Sequence, residues 1–76
     1  MVPRLPVISA REMIGLLERD GFVRVGQTGS HVRLKRRDSR GARLVIIPQH
    51  GELTVGTLKS ILRQAGWSRD DLLRRL

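Results

Sequence analysis

A chain of 76 residues has room for one domain built around a single core, and burial at this size is marginal. It holds no cysteine, which excludes disulfides, a thiolate nucleophile and cysteine-based zinc sites. Fifteen Lys and Arg against seven Asp and Glu give a net charge of +8, so a polyanionic partner is the leading expectation.

The first eight residues, with Pro3 and Pro6, read as an N-terminal tail, and residues 9–76 as the domain. Ser9 followed by Glu12 makes a capping box, and Ala10, Met13, Ile14 and Leu17 recur at helical spacing, which predicts a helix from about residue 10 to 19. Asp20-Gly21 ends it. Phe22-Val23-Arg24-Val25 reads as a strand, followed by a glycine-rich connection from Gly26 to Ser30. His31-Val32-Arg33-Leu34-Lys35 then alternates polar and apolar, so a strand sends Val32 and Leu34 to one face and His31, Arg33 and Lys35 to the other.

A polar turn, Arg37 to Gly41, leads into Arg43-Leu44-Val45-Ile46-Ile47, a strand apolar enough to be expected at the centre of the sheet or heavily covered, and Pro48 stops it. Residues 49–53 form a loop. Thr54 caps a second long helix with the stripe Leu58, Ile61, Leu62 and Ala65, ending at Gly66. Ser68 and Asp71 start a last short helical turn, from which Leu72, Leu73 and Leu76 are expected to close over the core beside Trp67. The order α-β-β-β-α predicts an α+β fold: a three-stranded antiparallel sheet with both long helices on one face, plus the C-terminal helical turn.

That packing leaves the other sheet face open, with His31, Arg33 and Lys35 on it and the turn arginines at its edge. Thirteen of the fifteen cations are arginine, whose planar fork suits phosphate oxygens. Between Arg24 and Arg43 seven cations meet one anion, Asp38, a concentration of one sign that solubility alone does not require. Neither Phe22 nor Trp67 lies in this basic stretch, so base stacking is not expected and recognition should be of the sugar-phosphate backbone.

Four pieces in order carry a family resemblance: Ser-x-x-Glu-x-x-x-x-Leu-x-x-Asp-Gly-Phe from Ser9; Gly29-Ser30-His31; Ile47-Pro48-x-His50; and Gly56-Thr57-Leu58-Lys59-x-Ile61-Leu62-x-x-Ala65-Gly66. Together, from about Leu5 to Leu73, the chain resembles the HicA family of toxin ribonucleases. The resemblance implies a fold like the double-stranded RNA-binding domain, mRNA cleavage, and a HicB-type antitoxin that silences it. It places the catalytic histidine on His31. Trp67, where many relatives carry Leu, is a departure that bears on packing.

The residues support that chemistry independently. An RNA strand carries its own nucleophile, the 2′-OH, so cleavage needs a base, charge stabilisation on the phosphate and help for the departing 5′-oxygen, but no metal or cofactor. Histidine is suited to act as base near neutral pH. Arg33 and Lys35 on the same strand face can stabilise phosphate charge, with Arg36 continuing the basic run, while Gly29 and Ser30 let backbone approach a phosphate closely. His50 has two readings, leaving-group acid or a loop residue hydrogen-bonded to backbone, of which the structural one is favoured. A metal site at His31 and His50, with Glu52 as third ligand, is a poor fit to ligand spacing. Gly56-Thr57 could offer helix N-terminal amides to a phosphate, with Lys59 one turn on; the alternative is a plain helix start.

The expected function is therefore a cytoplasmic toxin that is monomeric on its own and cleaves mRNA, with no membrane span, since the longest apolar run is far below the roughly 18 residues that one needs. A non-catalytic RNA-binding module using the same face is the alternative. A DNA-binding regulator fits less well, because no helix is rich in base-reading side chains.

Overall fold

The structure, a computed structural model, describes residues 4–76, so three residues of the expected tail lie outside it. The elements run α1 (Ala10–Arg19), β1 (Val23–Thr28), β2 (His31–Asp38), β3 (Gly41–Pro48), α2 (Val55–Ala65) and α3 (Arg69–Arg75). This is the α-β-β-β-α arrangement of the double-stranded RNA-binding domain, extended by one short helix.

Helix α1 begins where the capping box places it. The Ser9 hydroxyl accepts from the Glu12 amide at 3.0 Å, and the Glu12 carboxylate accepts from the Ser9 amide at 3.3 Å. It buries Ala10, Met13, Ile14, Leu16 and Leu17. Helix α2 is capped by Thr54, buries Leu58, Ile61, Leu62 and Ala65, and ends at Gly66 in the left-handed conformation with φ 74°.

The sheet is antiparallel in the order β1-β2-β3, with β2 central. Val32 and Leu34 from β2 and Val45 and Ile47 from β3 are fully buried beneath the helices. Both hairpins close around two residues. Thr28 pairs with His31 around Gly29-Ser30, where Gly29 has φ 58°, the sign that tight hairpin turns favour and that glycine adopts without steric cost. Asp38 pairs with Gly41, and its carboxylate accepts from the Arg40 amide at 2.8 Å to fix the turn.

Four expectations are corrected. First, β3 is an edge strand, and Leu44 and Ile46 are 48% and 39% exposed; the run of four apolar residues is covered on one side only, because the helices occupy a single face. Second, β1 continues through Gly26 to Thr28, since Gly26 keeps extended pairing opposite Arg33, while Phe22 precedes the strand and is buried. Third, Leu72 alone of the C-terminal leucines enters the core; Leu73 and Leu76 are exposed. Fourth, the tail is not free of the domain before residue 9: Ile8 is buried, Leu5 packs on the core, and the Leu53 amide donates to the Ile8 carbonyl at 2.9 Å.

Asp20, just past α1, ties the C-terminal end together. Its carboxylate accepts from Arg36 of β2, from Arg75 of α3 at 3.0 Å, and from the Trp67 indole at 3.3 Å. The same two guanidiniums stack on aromatic rings, Arg36 over Phe22 and Arg75 over Trp67, at 4.9 and 4.2 Å from the centroids.

Candidate functional site

Strand register determines the membership of the open face. Because cross-strand partners share a face, it carries His31, Arg33, Lys35 and Arg37 from β2, Val23, Gly26 and Thr28 from β1, and Ala42, Leu44, Ile46 and Pro48 from β3. No carboxylate is among these strand residues. The central strand thus presents a line of cations headed by a histidine, flanked by small and apolar side chains.

His31 is exposed at the first position of β2, immediately after the Gly29-Ser30 turn. Its partners are Thr28 on one side and Pro48 on the other. The Gln49 amide donates to the Ser30 carbonyl, which holds the start of the following loop against the turn. Gly29, Ser30 and His31 therefore form one corner of the sheet, with the segment leading to His50 beside it.

Arg33, two residues along, stands about 7 Å from His31 at ordinary strand rise. Its guanidinium lies over Gly26: a Cβ at that glycine would come within 2.5 Å of Arg33 Nη2. The strand register shifts between Arg24 and Gly26, a bulge that leaves Val25 exposed. Gly26 thus provides the floor on which Arg33 lies sideways across β1, a function that sequence alone did not single out. Its signal was indirect: a glycine continuing a strand opposite a long cation marks a close approach.

Two residues expected to bind RNA lie off this face. Arg36 has the parity of Val32 and Leu34, so its side chain passes to the helix side, where Asp20 and Phe22 hold it. The run Lys35-Arg36-Arg37 is divided between the two faces by strand alternation. Lys59 is exposed on α2 and lines a shallow depression with Leu5, Leu62, Arg63, Trp67 and Arg69 on the helical layer. At the start of α2, the Thr57 amide is already bonded to the Thr54 hydroxyl at 3.2 Å, so it is not free for a phosphate.

His50 sits exposed in the loop, and among the described residues its imidazole makes no hydrogen bond. Backbone contacts do the positioning instead: Gly51 accepts from the Ala10 amide at 3.0 Å, and Ser9 and Glu52 form an isolated bridge. The structural role favoured for the His50 side chain is therefore performed by main chain. Among the described residues no three His, Asp or Glu side chains are grouped as metal ligands, and no helix is long and apolar enough to cross a membrane.

A family model described as HicA toxin of bacterial toxin-antitoxin systems matches residues 10–67. The chain belongs to the HicA toxin family. The match begins at the first residue of α1, includes both hairpins and the Gly29-Ser30-His31 corner, and ends at Trp67, leaving α3 beyond it. Membership makes the protein the toxin of a toxin-antitoxin system, with an antitoxin as its partner. No curated protein matches the chain.

Proposed function

We propose that this HicA toxin is a metal-independent endoribonuclease of mRNA, with His31 as general base. The observation that carries the reading is the exposed imidazole at the head of a cationic strand face free of carboxylates, beside the Arg33 guanidinium that lies on Gly26. The imidazole takes the 2′-OH proton, the 2′-oxygen attacks the adjacent phosphorus, and the bond from phosphorus to the 5′-oxygen breaks as that oxygen gains a proton. Arg33 stabilises the charge that builds on the non-bridging oxygens. His50, exposed on the loop that follows β3, is the candidate for the acid that protonates the leaving group.

The products distinguish this reading. A labelled RNA should give a 2′,3′-cyclic phosphate and a 5′-hydroxyl, cleavage should continue in excess EDTA, and a 2′-deoxy nucleotide at the scissile position should block it. Cleavage of the deoxy-substituted strand would rule out the 2′-OH route. RNA binding without any cleavage would favour the non-catalytic module.

The antitoxin, proposed to be of the HicB type, silences the toxin by covering His31 and placing acidic groups against Arg33 and Lys35. Hydrogen exchange should show protection of residues 26–36 in the complex. Protection limited to the segment after Gly66 would contradict direct occlusion.

A further inference from the structure

At the opposite end of β2 from His31, the β2-β3 hairpin and the C-terminal end of α2 enclose a depression of about 540 Å³, lined chiefly by Arg36, Asp38, Arg40, Arg43 and Gly66. Its charges do not balance. Arg36 is neutralised by Asp20, and Asp38 is engaged by the Arg40 amide and, at 3.7 Å, by Arg36. Among the described residues Arg40 and Arg43 have no carboxylate within ion-pair distance. Arg43 is the direct cross-strand partner of Arg36, so with Asp20 compensating Arg36 it is Arg43 that brings the uncompensated charge to this side of the hairpin.

The pocket is also shaped around Arg43. A Cβ at Gly66 would come within 2.5 Å of Arg43 Cζ, so the glycine that caps α2 leaves room for the guanidinium to lie flat against the helix end. The carbonyl end of α2 favours a cation there, which holds Arg43 in place while leaving its fork unpaired.

We propose that this pocket binds a backbone phosphate of the RNA strand, making it a remote anchor for the substrate whose scissile phosphate lies at His31. The proposal rests on the ribonuclease reading and adds a substrate-length requirement to it. From His31 to Asp38 the strand advances about 23 Å at ordinary rise, the minimum path, since the pocket opens on the helix side of the hairpin. A stacked nucleic-acid strand covers that in roughly seven nucleotides, at about 3.4 Å each. The strand passes from the open face beyond Arg37 and over the small side chain of Ala42 at the pocket rim.

The test is the length dependence of RNA affinity, measured with oligonucleotides of about 4, 8 and 12 nucleotides for the His31→Ala protein and for the same protein carrying Arg40→Gln and Arg43→Gln. Affinity should rise between the shortest and longest RNA in the first protein. The added substitutions should weaken the longest RNA roughly tenfold, reduce its log-log salt slope by about one, and leave the shortest unchanged. Arg40→Gln alone, at an exposed turn, serves as the variant whose folding is not in question, and a thermal melt of each protein separates anchoring from stability.

Equal loss at every length, or no loss, would overturn the anchor. Weakened antitoxin binding with RNA binding intact would overturn it too and would assign the pocket to an acidic protein surface. Absence of cleavage by the wild-type protein, with the length dependence still sensitive to Arg40 and Arg43, would defeat the ribonuclease reading while the anchor stood.

Discussion

Two arginines three positions apart, Arg33 and Arg36, show how a side chain's partners decide its task. Arg33 rests on the backbone of Gly26 with its charge free on the open face, whereas Arg36 is drawn to Asp20 and the ring of Phe22. Alternation along β2 already separated them, since Arg36 shares the parity of Val32 and Leu34. The contacts themselves were not legible, because Asp20 meets residues 16, 47 and 55 positions away and no local spacing announces such a meeting. Asp20 is 18% exposed at its side chain, so its pairs are partly shielded from water. Asp20→Asn should remove charge compensation from both guanidiniums and cost about 2 kcal/mol. In a domain this small that is a fall in melting temperature of roughly 8–16 °C, read by thermal denaturation. An unchanged melting temperature would show that the aromatic stacking alone holds Arg36 and Arg75.

At the scale of elements, the helices were the most legible parts. Ser9 and Glu12, Thr54, and Ser68 and Asp71 mark all three starts, and each cap is formed in the structure. The strands were legible in type and incomplete in extent, since a glycine such as Gly26 that keeps extended geometry cannot be told from a loop glycine by identity alone. The place of β3 was not legible either: which face of Leu44-Val45-Ile46-Ile47 is covered depends on where the helices dock. Its outer edge is closed by Gln64 of α2, which accepts from the Ile46 amide at 2.8 Å, while the bulge in β1 disrupts the other edge. Helix α3 depends most on its cap, being seven residues long with only Leu72 buried. Hydrogen bonds from the Ser68 backbone and side chain hold the Asp71 carboxyl below its ordinary value of 3.8. The resulting stabilisation is present above that value and is lost as pH falls through the lower folded one. Trp67 fluorescence should therefore report loosening of α3 only below that ordinary value, and Ser68→Ala should destabilise the helix by about 1 kcal/mol at neutral pH while weakening but not abolishing that acid dependence, because the larger backbone hydrogen bond survives. Loosening at mildly acidic pH would point to another group.

Across the whole molecule, charge is segregated by layer. Acidic residues lie on the helices, the loops and the β2-β3 turn, whereas the open strand face has none and carries Arg33, Lys35 and Arg37, so that face is uniformly positive while the helical layer mixes both signs. Such a field speeds encounter with a polyanion and offers an antitoxin one continuous target. In the proposed reading the corner at His31 supplies chemistry, while the line Arg33-Lys35-Arg37 follows the strand axis and the cationic pocket lies at the far end. The separation of chemistry from binding along β2 is best tested by one comparison: cleavage and affinity of His31→Ala and wild type on the same labelled RNA, without antitoxin. An exposed side chain at a strand start contributes little to the core, so the variant should keep its fold and most of its RNA affinity while cleavage falls by about 10²–10⁴. Equal cleavage by the two proteins would contradict the assignment of His31 as the base.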